Sequence, residues 1–175
     1  MGMQLLPWYA IRVRTGAEAR LKTSLEQKGS EIFLPTWLDC RQYSDRIKKI
    51  QSPLFPGYLF CRLDVEKRLP ILTTPGVESI VHIAGVPQPI EDSEIEAIQR
   101  AVNANLNAVP WPYLKSGDRV RVVFGSMSGV EGQLVTVKGK DRLVLSVEIL
   151  QRSISFEIDR TWIRPVEINQ NIILR

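Results

Sequence analysis

The chain has 175 residues, of which 44% are hydrophobic and 24% charged, values ordinary for a soluble globular protein with room for one domain or two small ones. Its longest unbroken apolar runs, Trp8–Ile11 and Tyr58–Cys61, are four residues; that excludes a membrane-spanning helix, and the Leu5-Leu6 pair ahead of the first base, Arg12, is no signal-peptide core, so a cytoplasmic protein without membrane contact is expected. The net charge of +4 is uneven, with nine bases against five acids in residues 12–49, four against seven in 62–110 and ten against seven in 111–175, which suits a partner that is anionic on one side only.

Trp8 to Arg14 is rich in aromatic and β-branched residues and ends in alternation, so it reads as a strand. Thr15-Gly16-Ala17-Glu18 fits a capping box, and a helix is expected to run to about Lys28, with Ala17, Leu21 and Leu25 on one face and Gly29 as its left-handed stop. Glu18 and Lys22 are spaced for an i,i+4 pair. Ile32–Pro35 is a short strand, and Trp37–Tyr43 and Ile47–Gln51 are the arms of a basic hairpin around Ser44-Asp45.

Pro53-Leu54-Phe55-Pro56-Gly57-Tyr58-Leu59-Phe60-Cys61-Arg62 admits two readings. It is either a core strand entered through a turn or a proline-stiffened apolar knuckle built to dock, since proline limits the entropy lost on binding. A short helix is expected over Glu66–Thr73, a strand over Val77–Ile83, and a helix over Asp92–Asn103, where Ile95, Ile98 and Val102 recur at helical spacing behind an acidic first turn. Asn105–Pro112 reads as a linker. Beyond it, Arg119–Phe124, Gly132–Val137, Arg142–Ile149, Ser153–Asp159 and Thr161–Arg164 are short β-rich runs punctuated by glycines, the pattern of a small β-barrel. The fold class is α+β, with helices packed on a mainly antiparallel sheet followed by that barrel. The expected division is an N-terminal domain at 6–104, a linker at 105–114, a barrel at 115–167 and a tail at 168–175.

Catalytic chemistry has little footing. His82 is the lone histidine and sits in the apolar pattern Ile80-Val81-His82-Ile83, where a structural role is the commoner one. Cys40 and Cys61 are too few for a disulfide framework and lack metal-ligand spacing. No phosphate loop or metal cluster is present, and the acids Glu91, Asp92, Glu94 and Glu96 suit a helix start. A binding protein without cofactor or metal is expected, not an enzyme.

Four features together resemble NusG-type transcription elongation factors. They are Trp8-Tyr9 opening a strand before a helix, Phe55-Pro56-Gly57-Tyr58, Pro87-Gln88-Pro89-Ile90 leading into an acidic helix, and Gly117–Gly132, which is similar to the KOW motif that opens the family's C-terminal barrel. The resemblance implies an N-terminal domain that bridges the cleft of RNA polymerase, pinned to the clamp helices of the largest subunit, and that suppresses pausing or termination. The matching apolar residues are Trp8, Leu54, Phe55, Tyr58, Ile80 and Val81; Tyr58 and Val81 are equally readable as core. Arg12, Arg14, Arg20 and Lys22 match the face that lies near nontemplate DNA, and Arg41, Arg46, Lys48 and Lys49 are second candidates.

In the barrel, Ile149, Leu150 and Arg152 match the partner-binding tip, which in the family takes ribosomal protein S10 or Rho. Ile149-Leu150-Gln151-Arg152 stands where housekeeping members tend to read Ile-Phe-Gly-Arg. Leu150 keeps an apolar contact with S10 feasible, while the lost aromatic and glycine count against Rho. These departures resemble the specialised antitermination paralogues of the RfaH and UpxY kind, acting here as a monomer. The alternative is a KOW-type RNA- or ribosome-binding protein.

Overall fold

Trp8 to Ile11 form an unbroken apolar run because their strand belongs to a sheet covered on both faces. The computed structural model describes residues 5–114 and 116–166; the tail expected at 168–175 lies outside them. In chain order the N-terminal half holds β1 (Trp8–Val13), α1 (Glu18–Gln27), β2 (Glu31–Phe33), a hairpin of β3 (Thr36–Gln42) and β4 (Ile47–Pro53), and β5 (Tyr58–Arg62). Then come α2 (Leu69–Leu72), β6 (Val77–Ile80), β7 (His82–Ile83), β8 (Val86–Pro87), β9 (Pro89–Ile90) and α3 (Asp92–Asn103). The sheet runs β2-β5-β1-β6, with β9 also on β1, and all these pairings are antiparallel.

Alternation along β1 sorts its side chains to two sides. Tyr9, Ile11 and Val13 pack with Ala17, Leu21 and Leu25 beneath α1, joined by Leu59 and Cys61 of β5 and by Ile80. Trp8 and Ala10 point the other way, into a core with Phe60, Leu54, Phe55 and the α3 residues Ile95 and Ile98. That second core continues without a break into the C-terminal half.

The C-terminal half is a six-stranded antiparallel sheet in the order β10-β14-β13-β12-β11-β15. Its strands are β10 (Val109–Pro112), β11 (Asp118–Val122), β12 (Glu131–Val137), β13 (Lys140–Val147), β14 (Arg152–Glu157) and β15 (Ile163–Pro165). Val120, Val122, Leu143, Leu145, Val147, Ile154 and Phe156 form its interior. Gly132 is required by close approach, since a Cβ there would sit 2.6 Å from the Val144 carbonyl oxygen.

Several local expectations are corrected. Val109–Pro112, read as linker, is strand β10; it bonds only to β14, and at an edge Pro110 and Pro112 cost no ladder bond on the open side. The capping box does not form: the cap residue is Ala17, with no side-chain hydrogen bond, and Glu18 turns inward. Lys22 pairs with Glu26 at 3.3 Å instead of Glu18. The strand expected over Val77–Ile83 stops at Ile80, and His82–Ile83 folds back on Val86–Pro87 through Ala84 and Gly85, at φ 48° and 81°. His82 is therefore exposed and outside the core.

Candidate functional site

Phe55-Pro56-Gly57-Tyr58 is a tight turn. The Tyr58 N–H donates to the Phe55 carbonyl at 3.1 Å, with proline at the second turn position and Gly57 at φ 82° at the third, the arrangement those two residues favour. Two further bonds hold it. The Val13 N–H donates to the Gly57 carbonyl, and the Gly57 N–H donates to Glu18 Oε1, both at 2.9 Å. A Cβ on Gly57 would meet Thr15 Oγ1 at 3.3 Å. Thr15 and Glu18, which in sequence suggest a helix cap, thus serve the knuckle instead.

The turn carries Leu54 and Phe55, 2% and 1% exposed. The Phe55 ring stands edge-on to Phe60 at 5.4 Å, Phe60 lies 6.1 Å from Phe33, and Phe33 lies 6.5 Å from Trp8. Arg62 covers the far end of this aromatic row, its guanidinium 4.7 Å from the Trp8 ring, and pairs with Asp92 at 3.3 Å and Glu31 at 3.7 Å. Of the six apolar residues matched from sequence, Trp8, Leu54 and Phe55 share this core, and Tyr58 and Val81 pack half-buried against it. Ile80 lies on the opposite face, under α1.

The C-terminal candidates come to the same place. Leu150 is buried in the core that contains Leu54 and Phe55, with Ile149 packed against it. The Arg152 guanidinium sits 5.5 Å over the Tyr58 ring. Met127 and Val130 are also buried there. From α3, Arg100 reaches across to the C-terminal half, donating from Nε at 3.1 Å and Nη2 at 2.6 Å to the Ser126 carbonyl and from Nη2 at 2.8 Å to the Ser128 carbonyl. Residues singled out as separate docking surfaces therefore belong to one continuous core, and Arg152 covers Tyr58 directly. Arg62, Arg100, Met127 and Val130 were not singled out in the sequence; Arg62 gains its role from packing within the N-terminal half, the other three from the pairing of the two halves.

A cleft of about 620 Å³ borders this contact between α3 and the C-terminal sheet, edged by Glu91, Glu94, Glu96 and Glu148. Burial holds the Glu94 carboxyl above its usual range; a hydrogen bond from the Glu148 backbone opposes this, and the charges of Glu148 and Glu91 reinforce it.

The basic candidates are scattered. Arg12 pairs with Glu78 at 3.2 Å and Lys22 with Glu26, leaving Arg14 and Arg20 without a carboxylate partner among the described residues. On the β3–β4 ribbon Arg41 pairs with Asp39 at 2.9 Å, while Arg46, Lys48 and Lys49 have no such partner among the described residues. The ribbon is therefore the more open cationic surface of the two. Cys61 is buried, which pushes its thiol up to about 12 and keeps it protonated at neutral pH, whereas Cys40 is exposed.

Residues 6–99 match the family model described as the transcription termination factor NusG. The chain belongs to the NusG family. The matched NusG segment contains the whole knuckle and its aromatic row. NusG-family similarity extends over both halves: the transcription termination/antitermination protein of Helicobacter pylori J99 is 27% identical, covering 88% of this chain and 95% of that protein. Its counterpart in Pseudomonas aeruginosa is 27% identical over 91% and 98%, and that of Thermus thermophilus 25% identical over 88% and 95%. A solved structure on domain interaction in Thermotoga maritima NusG superposes with a TM-score of 0.52 at 21% identity, covering 92% of this chain and 97% of that one, and shows the same fold.

Proposed function

We propose that the chain is a non-enzymatic, cytoplasmic transcription elongation and antitermination factor that grips RNA polymerase across its cleft and suppresses pausing or termination. The observation that carries this reading is the burial of Leu54 and Phe55 in one continuous core with Met127, Val130 and Leu150 of the C-terminal half. Large apolar side chains set on a stiff, doubly anchored turn are what a binding hot spot requires. Trp8, Leu54, Phe55 and Tyr58 form the polymerase face, docking on the clamp helices of the largest subunit. Ile80, on the far side of the sheet, is set aside. When the halves part, Ile149, Leu150 and Arg152 become free to recruit a second partner such as ribosomal protein S10.

The free cations of the β3–β4 ribbon, with Arg14 and Arg20, supply contacts to DNA phosphates that position without reading sequence. The family membership and the termination/antitermination relatives support the reading.

The test is copurification of RNA polymerase with the full chain. Phe55→Ala should reduce recovery at least tenfold, the loss typical of a hot-spot residue. Leu150→Glu, which leaves the knuckle untouched and drives the halves apart, should raise it. Unchanged recovery with Phe55→Ala would remove the knuckle from the polymerase contact.

A further inference from the structure

The connection between the two halves is short and is tied at both ends. At its start, α3 closes with the Leu106 N–H donating to the Ala101 carbonyl at 3.3 Å and the Asn105 N–H to the Val102 carbonyl at 3.1 Å, with Asn105 left-handed at φ 53°. That is a common helix stop, so Asn105 and Leu106 belong to the N-terminal half. At its end, Val109 already lies in β10, opposite Ser155 of β14. Asn107 and Ala108 are what stands between cap and strand. Asn107 is left-handed again, at φ 51°, a conformation asparagine bears better than most residues. Ala108 is buried in the core that both halves share.

β10 is held on β14 in two ways. Pro110 and Pro112 have no N–H, so its donors toward β14 are those of Val109 and Trp111. The second hold is a clip. The Arg142 guanidinium lies 5.2 Å over the Trp111 ring. β14 fixes that guanidinium in place: Nε donates to Ser155 Oγ at 2.9 Å, Nη2 donates to the Ser155 carbonyl at 3.2 Å, and Nη1 pairs with Glu157 at 3.6 Å. The Arg142 side chain is 15% exposed, and a cation over an aromatic face gains strength as water is excluded. Among the described residues, no hydrogen bond ties β10 to the N-terminal half.

We propose that β10 is a strap that travels with the C-terminal half when the seam opens, that the chain bends at Asn107 and Ala108, and that the clip of Trp111 under Arg142 sets how far the C-terminal half can go. This hinge rests on the parting of the halves proposed above. With β10 in place, Leu106 and Val109 are three residues apart, a span of at most about 10 Å. With β10 stripped off, the free chain would run twelve residues, from Leu106 to Asp118, and reach about 40 Å. The clip therefore keeps the opened C-terminal half hinged at the end of α3. A connector four times shorter also raises the effective concentration of one half for the other, by about eightfold on the −3/2 power of length.

Amide hydrogen exchange of the full chain, read residue by residue, tests this. Leu150→Glu should speed exchange at the seam around Ser126 and Ser128 by at least about tenfold and leave the Val109 and Trp111 amides within about twofold of their original rates. Adding Trp111→Ser or Arg142→Gln should speed exchange across β10 by at least about tenfold, read at Val109 for both variants. The Leu145 and Ile154 amides, paired between β13 and β14, should stay protected and so verify that the sheet is intact. With Leu150 left in place, Trp111→Ser combined with Arg142→Gln should speed exchange around Ser126 and Ser128 by up to about eightfold, the loss of effective concentration. Seam exchange unmoved by Leu150→Glu would overturn the parting of the halves and the strap with it. A seam that opens together with Val109 and Trp111 would overturn the strap alone, and so would a Val109 amide that stays protected once the clip is cut.

Discussion

The two faces of the N-terminal sheet are both dry, yet they are closed in different ways. The Tyr9–Ile11–Val13 face is sealed by α1, a helix joined to β1 by a few residues and packed through Leu21 and Leu25. The Trp8–Ala10 face is sealed partly by α3 and partly by residues more than a hundred positions away, among them Met127, Val130 and Leu150. The polar bonds across the second seam are sparse: Arg100 to two carbonyls, the Glu148 backbone to Glu94, and Arg152 over Tyr58. A core closed by its own neighbouring helix lasts as long as the fold. One closed by a remote half can open while each half keeps its strands.

This contrast is tested most severely by Leu25→Ala, which empties a fully buried site under α1 and should cost about 3 kcal/mol in a urea melt. If the loss were under about 1 kcal/mol, α1 would be no more permanent than the other cover. Next, Glu18→Ala strips the acceptor from the buried Gly57 N–H and should cost about 1–3 kcal/mol, whereas Glu18→Gln, which keeps an acceptor, should restore much of it. Arg100→Gln should change global stability by less than about 1 kcal/mol, as befits exposed hydrogen bonds. It should nevertheless speed amide exchange around Ser126 and Ser128; slow exchange there would mean that the apolar contact alone holds the seam.

The smallest effect is that of pH. Because Glu94 has a raised carboxyl pKa in the closed arrangement, its contribution is complete below the ordinary carboxylate range and is lost as pH rises through the raised value. Mild acidification should therefore tighten the seam, and Glu94→Gln should make exchange across it insensitive to pH in that window.

Where hydrophobic period and element coincide, the fold was legible in the residues: α3 follows Ile95, Ile98 and Val102, and the β3–β4 hairpin follows its turn residues. The misreadings have local physical causes. Pro110 and Pro112 look like linker residues, but edge strand β10 tolerates them. Ala84-Gly85 is an unusual hairpin turn, since alanine meets a steric cost at φ 48°; it ended a strand that the apolar pattern carried on to Ile83.

The candidate site was legible as two separate lists. What the sequence could not display was their coincidence, because the knuckle anchors and the tip residues are brought together only by tertiary packing: nothing in the spacing of Phe55 and Leu150 marks them as sharing a core. Likewise Thr15 and Glu18 carry the signature of a helix cap, and a turn 39 residues away competes for the carboxylate and wins.

That bond from Gly57 to Glu18 has a kinetic consequence. It ties the knuckle to the permanent side of the sheet, so the turn keeps its shape after the remote half departs. A ligand arriving at Phe55 would find no loop left to order. Its observed association rate should then level off at high concentration, at a plateau equal to the rate of opening. Loosening the seam would raise that plateau; loosening the turn would not.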